Sequence, residues 1–208
     1  MKTVYSKYIK RVLDFIISLL ALTVLSPLLL VLTLVGAVKM RGNPFFVQER
    51  PGRNGRVFRL IKFRSMTNKK KNGELLPDEE RLTGYGRFLR RTSLDELPEL
   101  LNILVGHMSI VGPRPLLVKY LPLYNEHQAR RHEVRPGLTG WAQVNGRNSI
   151  TWEQKFDYDV WYVDHLSFAL DFRIVMMTVR SVLKREGISG DNNATMAEFE
   201  GSREKTNV

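Results

Sequence analysis

The chain has 208 residues, a formal net charge of +11 and no cysteine, which excludes a disulfide framework and any thiolate metal site. Its length suits one domain with a real core and at most a short appended segment. The charge is a block: residues 1–38 carry four basic side chains and one acid, residues 39–71 eleven against Glu49 alone, and residues 72–208 seventeen against nineteen acids. Such a block suits nucleic acid, an anionic membrane surface or phosphorylated substrates.

Phe15 to Val38 is a run of twenty-four uncharged residues. As one straight helix it reaches about 36 Å, enough to cross a bilayer core of about 30 Å, and it is too long for a signal-peptide apolar region. Two features favour a different path. Ser26-Pro27 sits at its middle, where proline removes a donor and clashes with the preceding turn. Positive charge also flanks both ends, Lys2, Lys7, Lys10 and Arg11 before and Lys39 and Arg41 after. A crossing helix satisfies the positive-inside rule at one flank only. A helix-break-helix that enters and leaves on the cytoplasmic side satisfies both. These residues alone leave the two paths open. Asp14, four residues after Lys10, is placed to pair with it.

The period then changes. Phe45–Gln48 and Val57–Arg64 read as strands of a hairpin around Pro51-Gly52-Arg53-Asn54-Gly55. Alternation puts Phe58, Leu60, Lys62 and Arg64 on one face, where the last two form either a solvated edge or a phosphate-binding pair. Residues 67–80 read as a polar loop, and Gly84-Tyr85-Gly86 is a glycine pair without dinucleotide-binding context.

Arg90 to Asn102 carries two adjacent carboxylates, Asp95 and Glu96, behind a basic pair. Ser93 and Glu96 have capping-box spacing, but that frame puts Pro98 inside the helix. A cap at Asp95 moves Pro98 into the tolerant first turn and leaves Glu96 without its capping partner. A helix to about Val105 follows, with Leu97, Leu100, Leu101 and Leu104 along one side. Gly106–Pro115 reads as a loop in which Arg114 stands between two prolines, on stiff backbone suited to bidentate capture of phosphate or to capping a helix C-terminus. Residues 116–133 look helical with Pro122 as an interruption. Arg135–Asn148 is a long glycine-bearing loop whose Arg135 and Arg147 are further anion-binding candidates. Thr151 with Gln154 starts another helix, bearing Trp152, Phe156, Val160 and Val163 on one side. The next, about Phe168 to Lys184, suits either a core or a membrane surface. Beyond Gly187 the chain reads as a poorly ordered tail.

No Walker loop, zinc-binding histidine motif or nucleophile elbow is present. The remaining constellation suits phosphoryl transfer at a membrane, with cations holding a pyrophosphate and a carboxylate attacking phosphorus. Two other classes fit less of it. One is a non-enzymatic membrane-attached scaffold using residues 39–71 on anionic lipid. The other is nucleic-acid binding through the same block, against which the apolar N-terminus argues.

The motifs Ser26-Pro27, Lys62-Phe63-Arg64-Ser65-Met66, Ser93-Leu94-Asp95-Glu96-Leu97-Pro98, Gly112-Pro113-Arg114-Pro115, Arg135–Trp141 and Asn145–Asn148 together resemble the small monotopic phosphoglycosyl transferases of the bacterial sugar transferase family, over about Lys10 to Gly187. The resemblance implies a mostly helical α+β fold. A re-entrant membrane helix (1–40) broken at Ser26-Pro27, a catalytic domain (41–186) with a small β-hairpin and interfacial helices, and a flexible tail (187–208) would make it up. It implies a protein at the cytoplasmic face of the bacterial inner membrane. It also implies that Asp95 attacks the β-phosphorus of a UDP-sugar and releases UMP. The aspartyl-phosphosugar then passes to polyprenyl (undecaprenyl) phosphate, as the first membrane step of capsule, exopolysaccharide or glycoprotein synthesis. Glu96 is expected to deprotonate or position the lipid phosphate, and Lys62, Arg64, Arg114 and Arg147 to hold phosphates. Mg²⁺ would bridge Asp95 and the pyrophosphate. The sugar is expected to be an N-acetylated or diacetamido hexose, with no residue here that reads it, and whether the chain forms a homodimer stays open.

Overall fold

A computed structural model of the chain describes residues 4–146, 150–184 and 198–201. A π-helical turn, Tyr5–Ile9, leads into α1, Lys10–Met40, which runs unbroken through Pro27. The two helices expected on either side of Ser26-Pro27 are therefore one. Proline costs one backbone bond at this point, and Ser26 turns its hydroxyl inward, donating to the Thr23 carbonyl at 2.8 Å, so the helix tolerates the interruption.

The inward side of α1 carries Lys10, Asp14 and Ser18 near its start and Leu32, Gly36 and Met40 near its end, each set at four-residue spacing. The outward side carries Val12, Val24, Leu30, Leu34 and Val38, the last 75% exposed. Near its start, then, α1 buries polar groups and exposes apolar ones, the reverse of a helix in water. It is long and apolar enough to cross a membrane, and its bare apolar side associates the protein with one. The expected Lys10–Asp14 pair does not form. Lys10 Nζ lies 2.6 Å from Asp171, and Asp14 accepts the Ile110 N–H at 3.0 Å. Buried groups four apart are each claimed by a different element, because each needs its own partner.

Strands β1 (Phe45–Pro51) and β2 (Val57–Phe63) pair antiparallel with Phe45 opposite Phe63. The hairpin is as expected, one strand longer and the other ending before Arg64. Two-residue strands β3 (Lys70–Lys71) and β4 (Glu74–Leu75) lie within the stretch read as a loop, followed by α2 (Asp78–Arg81) and α3 (Gly84–Thr92). Gly86 is explained by packing: a Cβ there would stand 1.8 Å from the Ser65 carbonyl oxygen.

Next come a 3₁₀ turn at Leu94–Glu96 and α4, Glu99–Leu104. Phe58 and Leu60 of β2 close on Leu100, Ile103 and Met108, with Ala21, Leu22 and Leu25 of α1 against them. Leu101, expected beside Leu100, is instead 43% exposed.

The segment Gly106–Pro115 contains β5 (Ser109–Val111), which a loop reading missed. Residues 116–133 hold a 3₁₀ helix (Val118–Leu123), α5 (Glu126–Ala129) and a second 3₁₀ helix (Arg130–Glu133). Strand β6, Gly137–Thr139, pairs parallel with β5. At Gly112 a Cβ would lie 2.4 Å from the Arg135 carbonyl oxygen, so the two motif loops meet where only glycine fits. Helices α6 (Trp141–Asn145), α7 (Trp152–His165) and α8 (Phe168–Leu183) complete the body. The Thr151–Gln154 capping box forms as read.

Of the segment read as a tail, residues 198–201 are described. Phe199 is 4% exposed, packed among Tyr120, Tyr124, Trp152 and Phe156, and Glu198 pairs with Lys119 at 2.5 Å. An apolar ring in an otherwise polar tail finds an aromatic socket, and burying it is worth about 2–3 kcal/mol.

Candidate active site

Both helix frames considered for Asp95-Glu96 are replaced. Ser93 takes a left-handed conformation, φ 56° and ψ 18°, at the end of α3, and its side chain caps nothing. That backbone costs about 1–2 kcal/mol for a residue other than glycine. It turns the chain sharply, so Asp95 and Glu96 sit on a 3₁₀ turn and Pro98 becomes the residue before α4. There proline's missing donor does no harm.

Glu96 Oε1 accepts from Lys62 Nζ at 2.8 Å and from Arg114 Nη2 at 2.5 Å. Lys62 Nζ also lies 3.0 Å from Oε1 of Glu99, a residue 2% exposed. One lysine from β2 thus sits between two carboxylates of the α4 region, and the Pro-flanked arginine closes the group. Burial pushes Glu96 up, but Arg114 and Lys62 outweigh it and hold the carboxyl down at about 2. Asn102 fixes the register between these elements. Its Oδ1 accepts from Ile61 N–H at 3.0 Å and its Nδ2 donates to the Arg59 carbonyl at 2.8 Å, one on either side of Leu60.

Asp95 differs from its neighbour. Among the described residues it makes no hydrogen bond or ion pair, while Lys62, Arg114 and Arg90 act on it from nearby. Burial, then the Glu96 charge, raises its carboxyl above the ordinary aspartate range in spite of those three cations. No helix N-terminus offsets this, because α4 begins four residues later. The result is a carboxylate without a partner among the described residues, in a cationic setting, beside one that two cations engage.

Of the residues singled out in the sequence, the structure brings together Asp95, Glu96, Lys62 and Arg114. Arg64 is not part of the group: β2 ends at Phe63, Arg64 N–H donates to the Pro44 carbonyl at 2.7 Å, and no ion pair joins its side chain to the three acids among the described residues. Arg90 stands nearer in its place, its Nε donating to Ser65 Oγ at 3.0 Å. Arg147 lies outside the described residues. Sequence reasoning missed Glu99, Asn102 and Arg50. Arg50 reaches the Pro115 carbonyl at 3.3 Å, and burial and the Arg114 charge lower its pKa. Glu99 was legible as a third acid three residues beyond Glu96, whereas nothing in the local pattern marked Asn102. A further clamp holds Arg114 from behind: Arg131 Nη2 donates to the Arg114 carbonyl at 2.7 Å and to buried Asp159 at 2.7 Å.

A hard cation such as Mg²⁺ keeps several waters and takes one or two carboxylates together with substrate phosphates. No cluster of three or more acidic or histidine ligands is gathered among the described residues. Glu96 and Glu99 are engaged by Lys62 and Arg114, so Asp95 is the carboxylate open to a metal, and the donor set fits one whose other ligands come from a bound pyrophosphate.

The fold and this constellation meet the model of the bacterial sugar transferase family, which matches residues 5–185. The chain belongs to that family and is an enzyme of the transferase class. It is 54% identical over 195 residues to the sugar transferase EpsL of Bacillus subtilis (strain 168), covering 93% of this chain and 96% of that one. It is 41% identical over 186 residues to the UDP-glucose:undecaprenyl-phosphate glucose-1-phosphate transferase of Xanthomonas campestris pv. campestris, covering 84% of this chain and 38% of that protein. It is 36% identical over 201 residues to the undecaprenyl-phosphate galactose phosphotransferase of Salmonella typhimurium, covering 88% and 42%. The chain thus spans about two fifths of the larger relatives.

Proposed function

We propose that the protein transfers a sugar 1-phosphate from a UDP-sugar to polyprenyl phosphate by way of an aspartyl intermediate. The observation that carries this reading is Asp95, a partly buried carboxylate with no hydrogen-bond or ion-pair partner among the described residues, with the charges of Lys62, Arg114 and Arg90 acting on it, beside a Glu96 that Lys62 and Arg114 both engage. The names of the larger relatives, with glucose and galactose phosphates moving to undecaprenyl phosphate, support the substrate classes.

In the first half-reaction an Asp95 carboxylate oxygen forms a bond to the β-phosphorus, the bridging P–O bond breaks, and UMP leaves with the electron pair. In the second, an oxygen of polyprenyl phosphate attacks the same phosphorus and the Asp95 carboxylate is released, giving polyprenyl-diphosphate-sugar. Arg114 and Lys62 supply positive charge beside the phosphates. A carboxyl held near 2 is a poor proton acceptor, so Glu96 positions Arg114 and Lys62 rather than serving as a base. Bound Mg²⁺, held by Asp95 and the pyrophosphate, would neutralise charge on the departing phosphate.

The expected result is one UMP per enzyme when UDP-sugar is added alone, and continued release once polyprenyl phosphate is supplied. A screen across UDP-glucose, UDP-galactose and N-acetylated or diacetamido UDP-hexoses would identify the donor. Absence of UMP with every donor would remove the transfer reading.

We also infer a monotopic placement on the cytoplasmic face of the bacterial membrane, with α1 unbroken and both of its ends on the same side. One body touches α1 at both ends. Arg11 donates to the Ile103 and Leu104 carbonyls near the start, and Tyr85 Oη donates to the Leu32 carbonyl toward the end. Single cysteines placed near residue 5 and near residue 42 are expected to react with an impermeant reagent from the cytoplasmic side only, and labelling from opposite sides would restore a crossing helix.

A further inference from the structure

A second cationic group lies at the other end of α4, about 9 Å of helix away from the reacting residues. It centres on Gly106. Arg135 Nε donates to the Gly106 carbonyl at 2.8 Å, and Arg11 Nη2 stands 3.1 Å from where a Cβ at Gly106 would be. Arg11 has a structural explanation, since both its Nη atoms cap the last carbonyls of α4, each at 2.7 Å. That explanation does not extend to the Nη atoms of Arg135, nor to Arg53 in the hairpin turn, which have no hydrogen-bond or carboxylate partner among the described residues. Asp14, the nearest acid acting on Arg135, is engaged by the Ile110 N–H. Burial, then the Arg11 and Arg53 charges, pulls Arg135 below its ordinary pKa. Arg11 and Arg135 thus meet at Gly106, and the hairpin turn that carries Arg53 comes close as well, the Gly52 carbonyl lying 3.2 Å from His132 Nδ1, three residues before Arg135; among the described residues Asp14 is the one acid whose charge is felt at Arg135.

Their surroundings indicate which anion. Val105, next to Gly106, is 64% exposed, and Val12, next to Arg11, is 55% exposed. Phe15, Ile16 and Leu101 continue this exposed apolar surface. The arginines thus stand at the edge of a lipid-facing surface, the depth at which a bilayer presents its phosphates. A free anion would bring charge to the notch but nothing to cover the apolar edge, whereas a phospholipid does both.

We propose that Arg53 and Arg135, with Arg11 behind them, form a binding site for the phosphate of a bilayer phospholipid, separate from the reacting site. Occupied, it fixes the depth of the body against the membrane by holding one head group between the hairpin turn and α4.

The test uses the full chain in uncharged detergent micelles, titrated with dioctanoyl phosphatidylglycerol and read by native mass spectrometry. Wild type is expected to retain one lipid. At about 1 kcal/mol per basic side chain near a lipid surface, Arg53→Gln should weaken retention about fivefold and Arg53→Gln/Arg135→Gln roughly thirtyfold. Asp95→Asn should retain the lipid as wild type does, which separates this site from the transfer reaction. Dioctanoylglycerol, lacking phosphate, should not be retained. Equal retention by wild type and Arg53→Gln, or displacement of the lipid by equimolar inorganic phosphate, would overturn the proposal. So would selective retention of polyprenyl phosphate, because the notch would then belong to the substrate path.

Discussion

Asp95→Asn is expected to abolish UMP release in the absence of lipid acceptor and to lower turnover by at least about a thousandfold, as loss of a covalent nucleophile does elsewhere. The substitution is nearly isosteric and removes a charge that opposes Glu96, so the folded chain should be at least as stable as wild type. A melting curve alongside the kinetics separates lost chemistry from lost fold. The reaction also has a predictable acid limb. Asp95 must be ionised to attack, and burial followed by the Glu96 charge raises its carboxyl. Its reactive form is therefore depleted as pH falls, starting above the value of about 3.9 for an exposed aspartate. Adduct formation measured against pH should weaken on the acid side within that raised range. A limb at the unperturbed value would mean that another group attacks.

Lys62→Met should cost about 3–5 kcal/mol of stability, the usual consequence of leaving a buried charge without its partner. For a chain of this size each kcal/mol moves the melting temperature by about 2–4 °C, so a fall of roughly 6–20 °C is expected. The reason is geometric: the single Nζ serves Glu96 at 2.8 Å and Glu99 at 3.0 Å, and without it two carboxylates face each other beside Arg114 alone. The pH dependence gives the sign. Burial already raises Glu99 in the folded protein, so the folded state binds its proton more tightly than the unfolded chain does. The resulting penalty is absent below the unfolded pKa and grows as pH rises through the folded one. Removing Lys62 enlarges that penalty, so the deficit of Lys62→Met relative to wild type should shrink as the pH is lowered. A deficit that stays constant with pH would mean that Glu99 is not the group left exposed.

Much of this site was legible because charge and stiffness are local properties. Asp95-Glu96 beside a basic pair, and Arg114 between prolines, carry their meaning in adjacent residues. The hairpin was legible for the same reason, since turn chemistry and alternation lie within a dozen positions. What failed was whatever depends on a partner far along the chain. Arg64 alternates in phase with Lys62, but β2 stops one residue short of it. Ser93 has capping spacing, yet the chain turns left-handed at that residue and the cap never forms. Lys10 and Asp14 have ideal spacing for each other and instead satisfy Asp171 and Ile110. Phe199 sits in a polar tail whose composition predicts no structure, and only the distant Tyr120 and Phe156 give it a place. Asn102 joins β2 to α4 through two backbone contacts that no sequence pattern announces.

The long reach of the Lys10 and Tyr5 contacts has a consequence in time. Asp171 lies 161 residues after Lys10 and 166 after Tyr5, and the carbonyls that receive Arg11 lie 92 and 93 residues on. A ribosome adding about 5–20 residues per second needs roughly 8–30 s to make the first of those spans. The carbonyls that receive Arg11 are made after roughly 5–18 s of it, so the polar side of α1 meets α4 well before Lys10 meets Asp171. The body therefore closes on α1 from the α4 end first, and α8, made last, is its final fastening.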